Sequence, residues 1–121
     1  MTREEWIAYH DKKSPHDPYT YEPYHCEMFD ADNGIMRYTL DDEIKTMYIT
    51  EIIGNFKFWL PIIWFLIKAF NIEKVVCWTH RSNPKPVARL FLMNTIEVEK
   101  DDEGGKVYRL TKEIKNEIHI W

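Results

Sequence analysis

Apolar and polar positions along this chain fall into blocks whose period changes several times, and each change marks an element. Thr46 to Ile53, TMYITEII, alternates and is β-branched, which predicts a strand. Gly54-Asn55 ends it, and Asn55 is placed to cap a helix running to about Phe70. That helix is apolar nearly all round, which predicts burial on more than one face. Pro61 predicts a start nearer Phe58 or a kink, because proline beyond the first turn removes a backbone bond. Asn71 is a suitable stop. Val75 to Trp78 reads as a short buried strand. Strand, helix and strand within about 30 residues make a βαβ unit, so the two strands are expected to be parallel neighbours.

The flanks read differently. Glu27 to Asp30 and Ile35 to Leu40 predict strands joined at Asp32-Asn33-Gly34, where Asn and Gly accept positive φ. Asp41-Asp42 marks the next turn. After the polar turn Thr79 to Asn83, a short helix is expected from Pro86 to Met93, with Pro84 and Pro86 at its start. Thr95 to Glu99 and Lys106 to Thr111 predict a hairpin around Asp101-Asp102-Glu103-Gly104-Gly105. Thr2 to Lys12 predicts a helix, with Thr2 and Glu5 spaced as a capping box. Pro15, Pro18 and Pro23 exclude regular helix from Ser14 to Tyr24, leaving an extended arm pinned by its tyrosines. Lys112 to Trp121 reads either as a frayed helix or as a last strand. The expected class is α+β: a central mixed, mostly antiparallel sheet with one parallel βαβ step, in a single domain over residues 1–121.

Composition narrows the function. The chain has 121 residues, 45% hydrophobic and 30% charged, as in soluble globular proteins. A net charge of -4 argues against a nucleic-acid partner, and Arg81, Lys85 and Arg89 read as a solvated rim. Phe58 to Ile67 is 10 apolar residues long, where a membrane span needs about 20. Two cysteines make no disulfide framework; Cys77 reads as a small buried hydrophobe, and a cytoplasmic setting follows. The polar start, Met1 to Glu5, is unlike a secretory signal. His10, His16, His25 and Cys26 match no zinc spacing, and adjacent His25 and Cys26 point opposite ways on a strand, so no metal site is expected. Four glycines and two serines (Ser14, Ser82) leave no phosphate loop, dinucleotide fingerprint or nucleophile elbow. Five tryptophans imply either dense packing or a ring-rich partner surface.

One segment is more specific. Asn83 after the strand, then Arg89-Leu90-Phe91-Leu92-Met93-Asn94-Thr95-Ile96, then Glu103-Gly104-Gly105-Lys106-Val107-Tyr108, resemble the closing half of Gcn5-related N-acetyltransferases, the GNAT family. The resemblance spans roughly Ile35 to Leu110 and implies an acyl-CoA N-acyltransferase-like fold with its N-terminal part reduced. Compact acetyltransferase-like proteins of bacteriophages look similar, with Lys74 before the strand, which implies a host cytoplasm or a virion. The resemblance also implies acetyl-CoA as cofactor. Backbone at Ile49 and Ile52, with Gly54 and Asn55 in the adjoining loop, would hold it, Asn83 would bind the pantetheine arm, and Glu51 would be the general base.

The departures concern chemistry. The family's loop Arg/Gln-x-x-Gly-x-Gly/Ala cradles a diphosphate with backbone N–H groups. Here it reads Glu51-Ile52-Ile53-Gly54-Asn55-Phe56, in which only Gly54 fits. Phe91 stands in the frame of the family's acid tyrosine and has no proton to give. Three readings follow: an acetyltransferase-like protein with weak or lost acetyl-CoA chemistry, a non-catalytic binding or assembly module, or an active enzyme with Glu51 as base. The second expects a protein partner or a homo-oligomer, with Phe58, Trp59 and Trp64 at the interface.

Overall fold

A computed structural model describes residues 1–15, 18–20, 24–79, 85, 95–100 and 106–114. Helix α1 (Arg3–Lys13) is followed by strands β1 (Cys26–Asp30), β2 (Gly34–Asp41) and β3 (Thr46–Gly54). Helix α2 (Phe56–Ala69) and strands β4 (Lys74–Thr79), β5 (Thr95–Lys100) and β6 (Lys106–Glu113) complete the described elements. The strands form one sheet in the order β1-β2-β3-β4-β6-β5. Only β3 and β4 run parallel, with α2 as their crossover; the other pairs are antiparallel. The expected mixed sheet with one parallel step is therefore present.

Strand alternation divides the sheet into two faces. Met36, Tyr38, Met47, Ile49, Val75, Cys77 and Leu110 meet Trp59, Ile63, Leu66 and Ile67 of α2 in one apolar core. Ile35, Ile53 and Val76 alternate with those residues and are buried on the opposite face, where α1 packs against β2 and β3. β2 is buried from Gly34 to Tyr38, on both faces at once. This explains why its sequence, IMRY, does not alternate cleanly.

In α2, Trp59, Ile63, Leu66 and Ile67 fall on one stripe at i, i+4, i+7 and i+8. Burying each such side chain stabilises the fold by about 1.5–3 kcal/mol. Burial does extend to either side of that stripe, where Phe58, Leu60, Ile62 and Trp64 are half-buried against the core, but one side stays open: Phe65 is 69% exposed, and Phe70 just past the helix is 45% exposed. Pro61 does not delay the helix start. It lies inside α2 on the exposed side, where the Lys57 carbonyl loses its N–H partner. Asn71 ends the helix with φ of 55°.

Capping explains α1. The Thr2 hydroxyl accepts from Glu5 N at 3.1 Å, and Glu5 Oε1 accepts from Thr2 N at 2.9 Å. Inward positions of this helix are Arg3, Trp6, Ile7, His10 and Asp11, a helical stripe that is mostly polar. The hairpin of β5 and β6 is present, and β6 inserts between β4 and β5. The expected short helix from Pro86 to Met93 and the tail beyond Ile114 lie outside the described residues.

Candidate functional site

The parallel pair opens at one end. β3 and β4 are in register from Thr46 with Lys74 to Ile49 with Cys77, and their pairing stops there. Yet β3 continues to Gly54 and β4 to Thr79. The cause is a bulge: on the β2 side, register passes from Glu51–Arg37 to Ile49–Tyr38, so Thr50 has no opposite residue. Its hydroxyl instead donates to the Arg37 carbonyl at 3.2 Å. A bulge bends its strand and increases the local twist, and beyond this one the two strands diverge. The β4-facing edge of residues 50–53 therefore carries no ladder bonds to β4. Ile49 closes the last paired rung and is buried, while Ile52 is half-buried against the core.

Glu51 sits on the divergent stretch, on the α1 face. Its Oε1 lies 3.0 Å from Nε2 of His10. The other ring nitrogen, Nδ1, lies 3.2 Å from Asp11 Oδ1. The same Asp11 oxygen accepts from Tyr19 N at 2.8 Å. That backbone bond, with the His10 contact second, holds the Asp11 carboxyl below its usual range.

Next to this chain of groups, Tyr19 ties the described residues 18–20 to the sheet and to α1. The Arg37 guanidinium lies 4.4 Å from the Tyr19 ring centroid and donates to the Thr20 carbonyl. Arg3 bonds Tyr19 Oη at 2.8 Å and Glu27 Oε1 at 3.0 Å, and Tyr19 Oη donates to Glu27. Arg3 holds the Glu27 carboxyl below its usual range, and burial pushes the Tyr19 phenol up.

The start of α2 is already occupied by the protein itself. Gly34 and Gly54 face each other across β2 and β3 with φ of 109° and 102°. A Cβ on Gly54 would fall 2.3 Å from the Asn33 carbonyl oxygen. That oxygen accepts from Asn55 N at 2.9 Å and from the Trp59 indole at 3.3 Å. Gly54 thus serves the close approach of two strands, and the Asn55 N–H is spent inside the fold. The capping role expected of Asn55 is corrected too: its side chain makes no cap bond and donates to Asn33 Oδ1 at 3.2 Å.

Trp59 is misplaced as an interface residue. It is 2% exposed, and its indole N–H is used within the core. Phe58 packs edge-on against it, with centroids 4.9 Å apart, and is half-buried. Trp64 is half-buried, with Lys112 Nζ 5.7 Å from its ring centroid. The most exposed rings here are Phe65 of α2 and Phe70 just past its end.

Asn83, Phe91, His16, Arg81 and Arg89 lie outside the described residues. Among the described residues, no group of His, Cys, Asp and Glu is arranged to hold a metal, and no helix is long and apolar enough to cross a membrane. Cys77 is buried and Cys26 is exposed, both as free thiols.

Sequence reasoning missed Asp11 and Arg37, and weighed His10 only as a metal ligand. The stripe Arg3, Trp6, Ile7, His10, Asp11 has helical spacing, but only if polar residues are allowed to face inward.

A six-stranded sheet with a divergent parallel pair, a crossover helix on one face and a shorter helix on the other defines an acyltransferase architecture. Solved structures agree. A point variant of the spermidine N-acetyltransferase of Vibrio cholerae aligns with a TM-score of 0.60 at 11% identity, over 98% of this chain and 94% of that one. The ribosomal-protein-S18-alanine N-acetyltransferase of Escherichia coli aligns at 0.53 and 10% identity, over 94% and 90%. A chimera of the Vibrio cholerae spermidine enzyme with hSSAT aligns at 0.53 and 15%, over 90% and 76%. No family model and no curated protein matches the chain. At these identities the likeness establishes the fold: this chain has the GNAT, or acyl-CoA N-acyltransferase, fold.

Proposed function

We propose that this chain is an acetyltransferase-like protein that receives the arm of an acyl thioester between β3 and β4, with acetyl-CoA affinity weakened at the diphosphate end. The observation that carries this reading is the end of pairing at Ile49–Cys77, with Glu51 two residues beyond it. An extended amide-bearing arm such as pantetheine completes the open edge of residues 50–53 as a further strand would. Glu51 is the base for an acceptor amine. Weakening follows from Gly54 and Asn55, whose conformation and N–H are committed to Asn33.

Melting with and without donor tests this, because a ligand selective for the native state raises the melting temperature. Millimolar acetyl-CoA and acetyl-pantetheine are expected to raise it to similar extents. No shift with either donor overturns the reading. A shift with acetyl-CoA alone shows that the diphosphate is held after all.

A second reading, a protein partner or a second copy docking on α2, is favoured by the exposure of Phe65 and Phe70. It makes the same scaffold a binding or assembly module.

A further inference from the structure

Glu51 is the base of the reading above, but His10 and Asp11 have no part in it, and the geometry of the three is unusual. One imidazole bridges two carboxylates, through Nε2 to Glu51 at 3.0 Å and through Nδ1 to Asp11 at 3.2 Å. A neutral imidazole has one donor and one acceptor, whereas ionised carboxylates only accept. Both contacts are therefore hydrogen bonds in two circumstances: the ring carries both protons, or one carboxyl is protonated.

The surroundings decide where the proton enters and leaves. Glu51 is at the open strand pair, and its side chain is 17% exposed. His10 is 12% exposed, whereas Asp11 is 39% exposed and reaches solvent. Asp11 is fixed by Tyr19 N. Among the described residues, Tyr19 adjoins Asp11 through its backbone and carries Arg3, Arg37 and Glu27 around its ring and hydroxyl. Arg37 lies opposite Glu51 across β2 and β3.

We infer that His10 is a positioning and proton-relay residue that orients Glu51 and carries the acceptor's proton from the cleft towards Asp11 and solvent. This rests on the acyl-transfer reading above. The acceptor enters as a free amine. Its nitrogen bonds the thioester carbonyl carbon, and the carbon–sulfur bond breaks. The amine proton passes to Glu51 and on to His10 Nε2, where the imidazolium lies between two carboxylates. The thiolate leaves and takes a proton from water, and the hydroxide so formed is neutralised by the proton the imidazolium gives up past Asp11 to solvent, so no acid side chain is required at the frame occupied by Phe91.

The experiment measures steady-state transfer from acetyl-CoA to spermidine and to a peptide α-amine, with wild type, His10→Gln, His10→Ala and Asp11→Asn. The His10 variants are expected to lose about 10- to 100-fold in kcat, less than the most a base contributes, with KM for acetyl-CoA unchanged. Added imidazole is expected to restore much of the loss in His10→Ala, which a purely structural role does not allow. Asp11→Asn is expected to lose less than either. Ring nitrogen shifts of His10, read by NMR on the full chain, are expected to change in Glu51→Gln and in Asp11→Asn. Kcat within twofold of wild type in His10→Gln, a loss confined to KM, or no rescue by imidazole overturns the relay and leaves acyl transfer standing. Inactive wild type that also fails to bind donor overturns both. Wild type that binds donor without transferring its acyl group overturns the relay and the base role of Glu51, and leaves the arm-binding site standing.

Discussion

Replacing Gly54 by Ala separates a structural glycine from a phosphate-cradling one. Gly54 has φ of 102°, and an added Cβ would lie 2.3 Å from Asn33 O and 3.1 Å from the Gly34 Cα. A non-glycine residue in such a region costs about 1–3 kcal/mol. The clash is with backbone, so relief means moving Asn33 away. That movement breaks the bonds from Asn55 N and the Trp59 indole, at about 1 kcal/mol each. The sum is about 3–5 kcal/mol. For a chain of this size, 1 kcal/mol moves the melting temperature by about 3–6 °C, so the variant should melt about 9–30 °C below wild type. Urea unfolding and thermal melts without any ligand measure this. Gly34→Ala, whose Cβ would fall 1.8 Å from Ile53 O, should be at least as damaging. A loss under about 1 kcal/mol for Gly54→Ala, within the range of ordinary surface changes, refutes the reasoning.

Acid should loosen the arm. The folded Glu27 carboxyl is held below its ordinary value of 4.5, chiefly by Arg3, so its contribution is present above that pH and is lost as pH falls through the lower, folded value. Arg3→Gln removes the main cause, and the transition followed by tryptophan fluorescence should move to higher pH; an unchanged midpoint contradicts the pairing. Burial pushes the Cys77 thiol up to about 12, so at pH 8 a thiol reagent should label exposed Cys26 and spare Cys77 in the native protein; equal labelling rates place Cys77 wrongly. Phe65→Ser should change stability by less than about 0.5 kcal/mol, since the ring is 69% exposed. Sedimentation should show this variant losing any self-association, and a wild type monomeric at high concentration removes the homo-oligomer form of the second reading.

The sheet was legible because each strand carries its own local signal. Asn33-Gly34 turns the first hairpin, and Thr46 to Ile53 and Val75 to Trp78 flank a helix too long to be anything but a crossover. The faces of α2 were not legible: its apolar residues are continuous, so only packing reveals that Trp59 and Ile63 go in while Phe65 stays out. The family frame makes Gly54 part of a phosphate loop. Its local reason is the opposing Gly34 and the Asn33 carbonyl, a relation 20 residues apart in sequence that no motif records. Glu51 was found by position, but its partners were not. His10 lies 41 residues earlier on a helix whose inward stripe is polar, so periodicity counted over apolar residues passes over it.

The central claim is that the β3–β4 opening is a thioester-arm site. Backbone amide shifts of the full chain, titrated with acetyl-pantetheine and with acetyl-CoA, test it most directly. The account predicts saturable shifts concentrated at residues 50–53 and at Trp78 and Thr79, similar for the two donors, with Lys74 to Val76 little changed. Shifts absent at millimolar donor, or centred on Phe65 and Phe70, would contradict it.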